Sequence, residues 1–251
     1  MSNTNIVIHE YTNNNKQIII LSLNRPKHLN AMNKDLLREL REQIEKVQMK
    51  NHIDTLIITS EITKSFCSGI DVGYVRELSN EQAADFFYDL ADTLEMIINL
   101  PCLTIAVVNG YAFGAGADLA LACDLRIGST DASFRFPGPQ FGVILGTKRL
   151  MNEVGPSIAR RLVLLGETFD AEKAYQYGII HGIIENSNCF KTALEWADKV
   201  SHIPKHAQEV IKDICAFQLE NVNSALLAKN SILEGHFRNR FREYVGRVKK
   251  S

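Results

Sequence analysis

The chain carries one structural device twice. Residues 55–71 read TLIITSEITKSFCSGID and residues 103–118 read LTIAVVNGYAFGAGAD. Each opens on an unbroken apolar run, the pattern of a strand covered on both faces. A loop with an aromatic residue follows, then small residues around glycine, then an aspartate where a helix is expected to start. Repetition at this spacing directs the chain toward stacked layers of ββα units. In such a stack each copy points the free N–H groups of a helix N-terminus out of its layer. The N–H groups of Ile70 and Ala115 can then converge on one oxygen atom, the requirement for an oxyanion hole. Tight packing alone also favours small residues at a helix start, but packing does not require the same chemistry twice.

The second copy is the richer one. Three glycines and five alanines stand between residues 110 and 125, with Asp118 in their midst. A backbone stripped of side chains in this way lets a ligand approach its N–H groups. Around the two copies the pattern alternates strand and helix. NIVIHEY and QIIILSLNR read as strands parted by a polar turn. Asn33 is placed to cap the helix KDLLRELREQIEKVQ, and Ser79 with Gln82 forms a capping box for NEQAADFFYDLADTLEMIINL, which Pro101 ends. LRIGS and ASFRF read as strands, KRLMNEV and PSIARRLVLL as two helices. Asp170 caps AEKAYQY, Gly178 stops it, and IIHGII is a last short strand. From about residue 189 the pattern is helical throughout. The fold class expected is α/β, with residues 1–188 as a layered core and 189–251 as a C-terminal helical region.

Bulk properties exclude several functions. With 45% hydrophobic and 23% charged residues, the 251-residue chain has the makings of a globular protein with a sizeable core. A net charge of -1 gives no general attraction to nucleic acid or to an anionic membrane. Five cysteines at wide spacing, without a CxxC pair, suggest neither a zinc site nor a disulfide framework, so no metal is expected. The N-terminal residues lack a signal-peptide pattern, and no apolar run approaches the ~20 residues that span a bilayer, so a cytoplasmic location is expected. GAGADL has Leu119 where a dinucleotide fingerprint needs its third glycine, and no P-loop, HExxH or GxSxG occurs.

Five stretches fall in a telling order: LNRPKHLNAMN at 23–33, SFCSGID at 65–71, NGYAFGAGADLALACDLRI at 109–127, FGVILGTKRL at 141–150 and AEKAYQYGIIHGII at 171–184. Over nearly its whole length the chain resembles the crotonase superfamily, the enoyl-CoA hydratase and isomerase enzymes. The resemblance implies a crotonase-like spiral of stacked ββα units with a C-terminal helical region, assembled as a homotrimer or a dimer of trimers. It implies an acyl-CoA substrate whose thioester carbonyl accepts hydrogen bonds from Ile70 and Ala115, with no cofactor beyond the coenzyme A thioester itself. Lys27 and Ala31 in the first loop, and Ser68 in the first oxyanion segment, stand at positions for binding coenzyme A.

Two departures bear on the reaction. Hydratases of the family carry two glutamates; Asp118 stands in place of one and Gly138 in place of the other. Phe136, Pro137, Pro139, Phe141, Val143, Ile144 and Leu145 make an apolar wall that should raise the pKa of Asp118. One carboxylate beside an oxyanion hole suits moving a proton from one carbon to another, which isomerises an enoyl-CoA. A hydratase of low activity, a decarboxylase and an acyl-CoA-binding protein without turnover are the alternatives. Asp71 and Asp124 read as structural, and His181 as buried against its strand. Tyr74 and Arg135 stand within reach of a pocket. In the tail, His236 is expected near a neighbouring active site. Arg238, Arg240, Arg242, Arg247, Lys249 and Lys250 form either a solvated face or a set of phosphate partners.

Overall fold

The computed structural model describes residues 4–13, 16–50, 52–203, 205–216, 225, 226, 229, 232, 233 and 237–248. Strands β1 (Ile6–Asn13), β2 (Lys16–Leu23), β3 (Ile53–Ser60), β5 (Leu103–Val108), β7 (Leu125–Ser129) and β10 (Gly182–Ile184) form a six-stranded sheet in that order. It is parallel except for the β1–β2 hairpin. A smaller sheet orders β4 (Ser65–Cys67), β6 (Tyr111–Phe113), β8 (Ser133–Arg135) and β9 (Phe169–Asp170). Each turn of the chain therefore gives one strand to the large sheet and one to the small sheet. The first two turns continue into helices α2 (Val72–Arg76) and α4 (Ala115–Leu121). This is the expected spiral of ββα units.

The local signals act where they stand. Asn33 accepts from the Leu36 N–H and starts α1 (Lys34–Met49), whose Leu36, Leu40, Ile44 and Val47 face the core. Ser79 and Gln82 make both hydrogen bonds of the capping box of α3 (Asn80–Ile98). Asp170 caps α6 (Ala171–Gln176). The two helices expected after residue 147 are present as the two arms of α5 (Thr147–Leu165), parted where Gly155 leaves the helical conformation with φ 76° just before Pro156. Proline lacks the N–H that would carry the helix past this point, so the axis bends there.

Two apolar clusters hold the layers. In one, helix α7 (Cys189–Ser201) presses Cys189, Ala193 and Ala197 onto Ile18, Ile20, Ile57, Ile105 and Ile127 of the large sheet. The other fills the space between sheets and helices and takes in Phe237, Phe241 and Val245 of α9 (Phe237–Val248), the helix after α8 (Lys205–Ala216). Among the described residues no helix is long and apolar enough to cross a membrane.

The second layer sits on the first through backbone contacts. β4 and β6 pair in parallel, and the Tyr111 N–H donates to the Lys64 carbonyl at 3.1 Å. Gly116, inside α4, lies so close to β4 that a Cβ there would overlap the Cys67 carbonyl oxygen. Alanine is normally the better helix residue by about 1 kcal/mol. Here the overlap dominates, so Gly116→Ala is expected to lose about 2–3 kcal/mol of stability. Urea unfolding at unchanged m-value measures this, and a stabilised variant would show that the layers are not in such contact.

Candidate active site

The first loop is fastened to the first layer by one buried side chain. Asn30, at φ 58°, donates from Nδ2 to Ser60 Oγ at 2.8 Å and to the Phe66 carbonyl at 2.9 Å. Its Oδ1 accepts from the Arg25 N–H at 2.7 Å. Arg25 in turn donates from Nη1 to the Ala31 carbonyl at 2.8 Å and to Asp71 Oδ2 at 2.7 Å. With the loop held there, the Met32 N–H donates to Gly69 and the Met32 carbonyl accepts from the Asp71 N–H, at 2.7 and 2.8 Å. Both bonds flank Ile70. In an extended segment successive N–H groups point to opposite sides, so the Ile70 N–H faces away from Met32. Among the described residues it has no acceptor.

Ala115 reaches the same condition by another route. It is the first residue of α4, where N–H groups lack an intrahelical acceptor. The neighbouring Gly114 N–H is taken by the Arg135 carbonyl at 2.8 Å, and Ala115 keeps its donor free among the described residues. Ser68, Ile70, Ala115 and Asp118 line one cavity of about 90 Å³. The two copies of the repeat differ at their aspartates, which the sequence made look equivalent. Asp71 is the N-cap of α2 and accepts from the Tyr74 N–H at 3.1 Å, whereas Asp118 lies within the first turn of α4. Ile70 accordingly precedes a helix cap, and its donor is freed by the bridge to Met32 rather than by a helix end.

Asp118 is 6% exposed and meets no hydrogen-bond donor among the described residues. Burial pushes its pKa up to about 7, with the Arg149 guanidinium pulling the other way. Phe136, Pro137, Pro139, Phe141, Val143 and Leu145 make the apolar wall, as expected, and Gly138 lines it without a carboxylate. Ile144 does not belong to the wall; it is 39% exposed, because the tight turn from Gly142 carries it outward. Phe87 of α3 and Phe241 of α9 add to the lining. The phenylalanine rings of residues 141 and 241 meet edge to face with centroids 5.6 Å apart.

A match to the family model for enoyl-CoA hydratase/isomerase runs over residues 13–245. The chain belongs to the enoyl-CoA hydratase/isomerase family. It is 32% identical over 188 residues to a crotonyl-CoA hydratase of Syntrophomonas wolfei, covering 74% of this chain and 71% of that protein. It is 31% identical over 187 residues to a short-chain-enoyl-CoA hydratase of Clostridium acetobutylicum, covering 73% and 72%. Among solved structures, an enoyl-CoA hydratase of Bacillus anthracis superposes with a TM-score of 0.79 at 27% identity, covering 98% of this chain and 96% of that one. As a member of this family, the chain is an acyl-CoA enzyme with the crotonase fold.

Other residues singled out in the sequence fall away from the cavity. Lys27 is exposed in the Pro26–His28 turn and Ala31 is buried behind it; neither lines the cavity. Tyr74 packs edge-on against Phe86, and Arg135 donates to the Gly166 carbonyl at 2.8 Å. Asp124 accepts from Thr104 and Lys212. His181, expected to be buried against its strand, is exposed instead, with its Nε2 3.0 Å from Arg126 Nη2. His236 lies outside the described residues. Phe241, in the C-terminal helix, lines the cavity of its own chain. Arg238 and Arg242 do not line it, and the side chains of Arg240, Arg247, Lys249 and Lys250 lie outside the description. Among the described residues no group of three His, Cys, Asp or Glu is placed to hold a metal. Arg25, Asn30 and Arg149 were not singled out as site residues, although LNRPKHLNAMN and FGVILGTKRL contain them.

The position of Asp118 has a cost in stability that depends on pH. A carboxyl whose folded pKa is raised holds its proton more tightly when folded, so its contribution is fully present below pH 3.8 and is lost as pH rises toward 7. Asp118→Asn removes that loss. The variant is expected to exceed the wild type in stability at pH 8 by up to about 4 kcal/mol, with the gap closing in acid. Urea unfolding at both pH values measures the gap, and a gap that does not change with pH would show that the carboxylate is solvated.

Proposed function

We propose that this protein isomerises an enoyl-CoA, using Asp118 as a single proton carrier and the N–H groups of Ile70 and Ala115 as the oxyanion hole. The observation that carries this reading is one buried carboxylate beside two free backbone donors, with glycine at position 138. The Asp118 carboxylate takes a proton from the α-carbon of a 3-enoyl thioester. The electron pair moves into a dienolate whose oxygen accepts from Ile70 and Ala115. Asp118 then returns the proton to the γ-carbon, leaving the 2-enoyl thioester and a carboxylate ready for another turnover. Two preorganised donors stabilise the oxyanion by several kcal/mol (about 3–4 for one donor). A carboxyl with a pKa near 7 can both accept and release a proton at neutral pH.

Lys27, Ala31 and Ser68 are proposed to hold coenzyme A, with Lys27 exposed toward its phosphates and Ser68 at the cavity mouth. The thioester is the only cofactor-like group this chemistry requires. Residues 189–251 are proposed as the helical region of oligomerisation, in a homotrimer or dimer of trimers. A second reading, a hydratase of low activity with Asp118 acting through water, is favoured by the names of the relatives, both hydratases.

Proton NMR of a 3-enoyl-CoA in deuterated water separates the readings. The wild type is expected to yield the 2-enoyl product, and Asp118→Asn to lose at least about 100-fold in rate. Absence of both migration and α-deuteration would overturn the isomerase reading and point to binding without turnover or to an enolate formed by decarboxylation. The hydratase reading has its own test in Gly138→Glu; a Cβ at residue 138 lies 3.0 Å from the Val143 carbonyl oxygen, so this segment must give by a few tenths of an ångström to admit it. That variant is expected to gain hydration of crotonyl-CoA by about 10-fold or more, in keeping with the contribution of a second acid–base group. Hydration product formed from crotonyl-CoA by the wild type would instead favour the second reading.

A further inference from the structure

Asp118 is not alone in the interior. α5 starts at Thr147 behind Gly146, which offers no capping side chain, and the Leu150 N–H donates to the Gly146 carbonyl at 2.9 Å. The positive end of this helix therefore abuts α4. Gly146 has no room for a side chain: a Cβ there would overlap Asp118 Oδ1 and stand 3.3 Å from Arg149 Nη1. The carboxylate oxygen and the guanidinium nitrogen thus flank a single point. Arg149 is tethered at its other end, where Nη2 donates to Glu95 Oε1 of α3 at 3.2 Å. Its Nε and Nη1 are buried and have no hydrogen-bond partner among the described residues. A buried donor left unsatisfied costs about 1–3 kcal/mol, so two of them on one cation call for a compensating charge nearby.

Asp118 supplies that charge only when it is ionised. From α5 it faces Arg149, and from α3 it faces Phe87, with Glu95 acting through Arg149. β4 brings the Cys67 thiol, which burial holds neutral by pushing its pKa up to about 12, and α9 brings Phe241. At the far end of α4 the Cys123 thiol is likewise pushed up to about 12, and Asp124 is paired with Lys212 at 2.8 Å. Arg149 is therefore the charged side chain that decides the balance. It also stands at a boundary. A second cavity, of about 600 Å³, opens behind Gly146 and is lined by both Glu95 and Arg149.

We infer that Arg149 is a positioning residue that sets the proton affinity of Asp118, and that Glu95 restrains it by neutralising part of its charge. The functional weight of this inference rests on the reading of Asp118 as the proton carrier, but its test needs no turnover. Carbon-13 NMR of the full chain, labelled at aspartate carboxyls, follows Asp118 through a pH titration; the signal missing from Asp118→Asn identifies it. Arg149→Met is expected to raise the titration midpoint by about one pH unit or more, and Glu95→Gln to lower it, since an adjacent opposite charge shifts a carboxyl by about 1–3 units. Arg149→Lys keeps the charge and is expected to hold the midpoint below that of Arg149→Met. A merely structural role would not move the midpoint in opposite directions. If Arg149→Met does not fold, Glu95→Gln alone decides: a lowered midpoint supports the inference and an unchanged one overturns it. Failure of the isomerase reading would show as absent double-bond migration with this titration pattern intact.

Discussion

Everything at the cavity depends on two layers meeting backbone to backbone. The Gly116 Cα rests against the Cys67 carbonyl, and β4 runs beside β6 without a side chain between them at that point. Any Cβ at the contact would push the layers apart, because the interior is packed too tightly to absorb the extra volume. The small residues around Asp118 thus serve the approach of one layer to the other at least as directly as the approach of a ligand. The shared cavity of Ile70 and Ala115 is a consequence of that seat.

The cavity gathers polar groups that a stable interior would otherwise satisfy. Among the described residues, two backbone donors without acceptors, a carboxylate without hydrogen bonds and an arginine with two unpartnered nitrogens lie within one small region. Unsatisfied buried polar groups are uncommon in folded proteins, and their clustering marks a place where stability yields to chemistry. The surrounding scaffold makes this tolerable. One apolar cluster backs the large sheet beneath α7, and another fills the space between sheets and helices. Asn30 fastens the first loop with bonds from a single side chain, so the loop holds its shape although its residues 29 and 30 have positive φ.

Much of this was legible in the sequence because the signals are local. A cap such as Asn33 acts on the N–H of Leu36, and the Ser79–Gln82 box closes over three residues. The repeat itself announced the spiral, and the order of its motifs announced the family. Contacts over long separations were not legible. Asn30 reaches Ser60 and Phe66, 30 and 36 residues away, and Arg149 meets Glu95 across 54. The equivalence suggested for Asp71 and Asp118 failed for a related reason: an aspartate near a helix start reads alike whether it caps the helix or lies inside its first turn.

By itself the sequence determined the layered α/β plan, the pair of stripped loops and the absence of a second carboxylate at position 138, since each follows from residue type and spacing along the chain. The tertiary structure alone decided that Ile70 gains its free donor from a bridge to Met32, that Phe241 closes the cavity of its own chain, and that Arg149 stands beside Asp118 across Gly146. These depend on distance in space. A carboxylate's proton affinity is set by the water it loses and the charges it meets on folding, and neither is written in its neighbours along the chain.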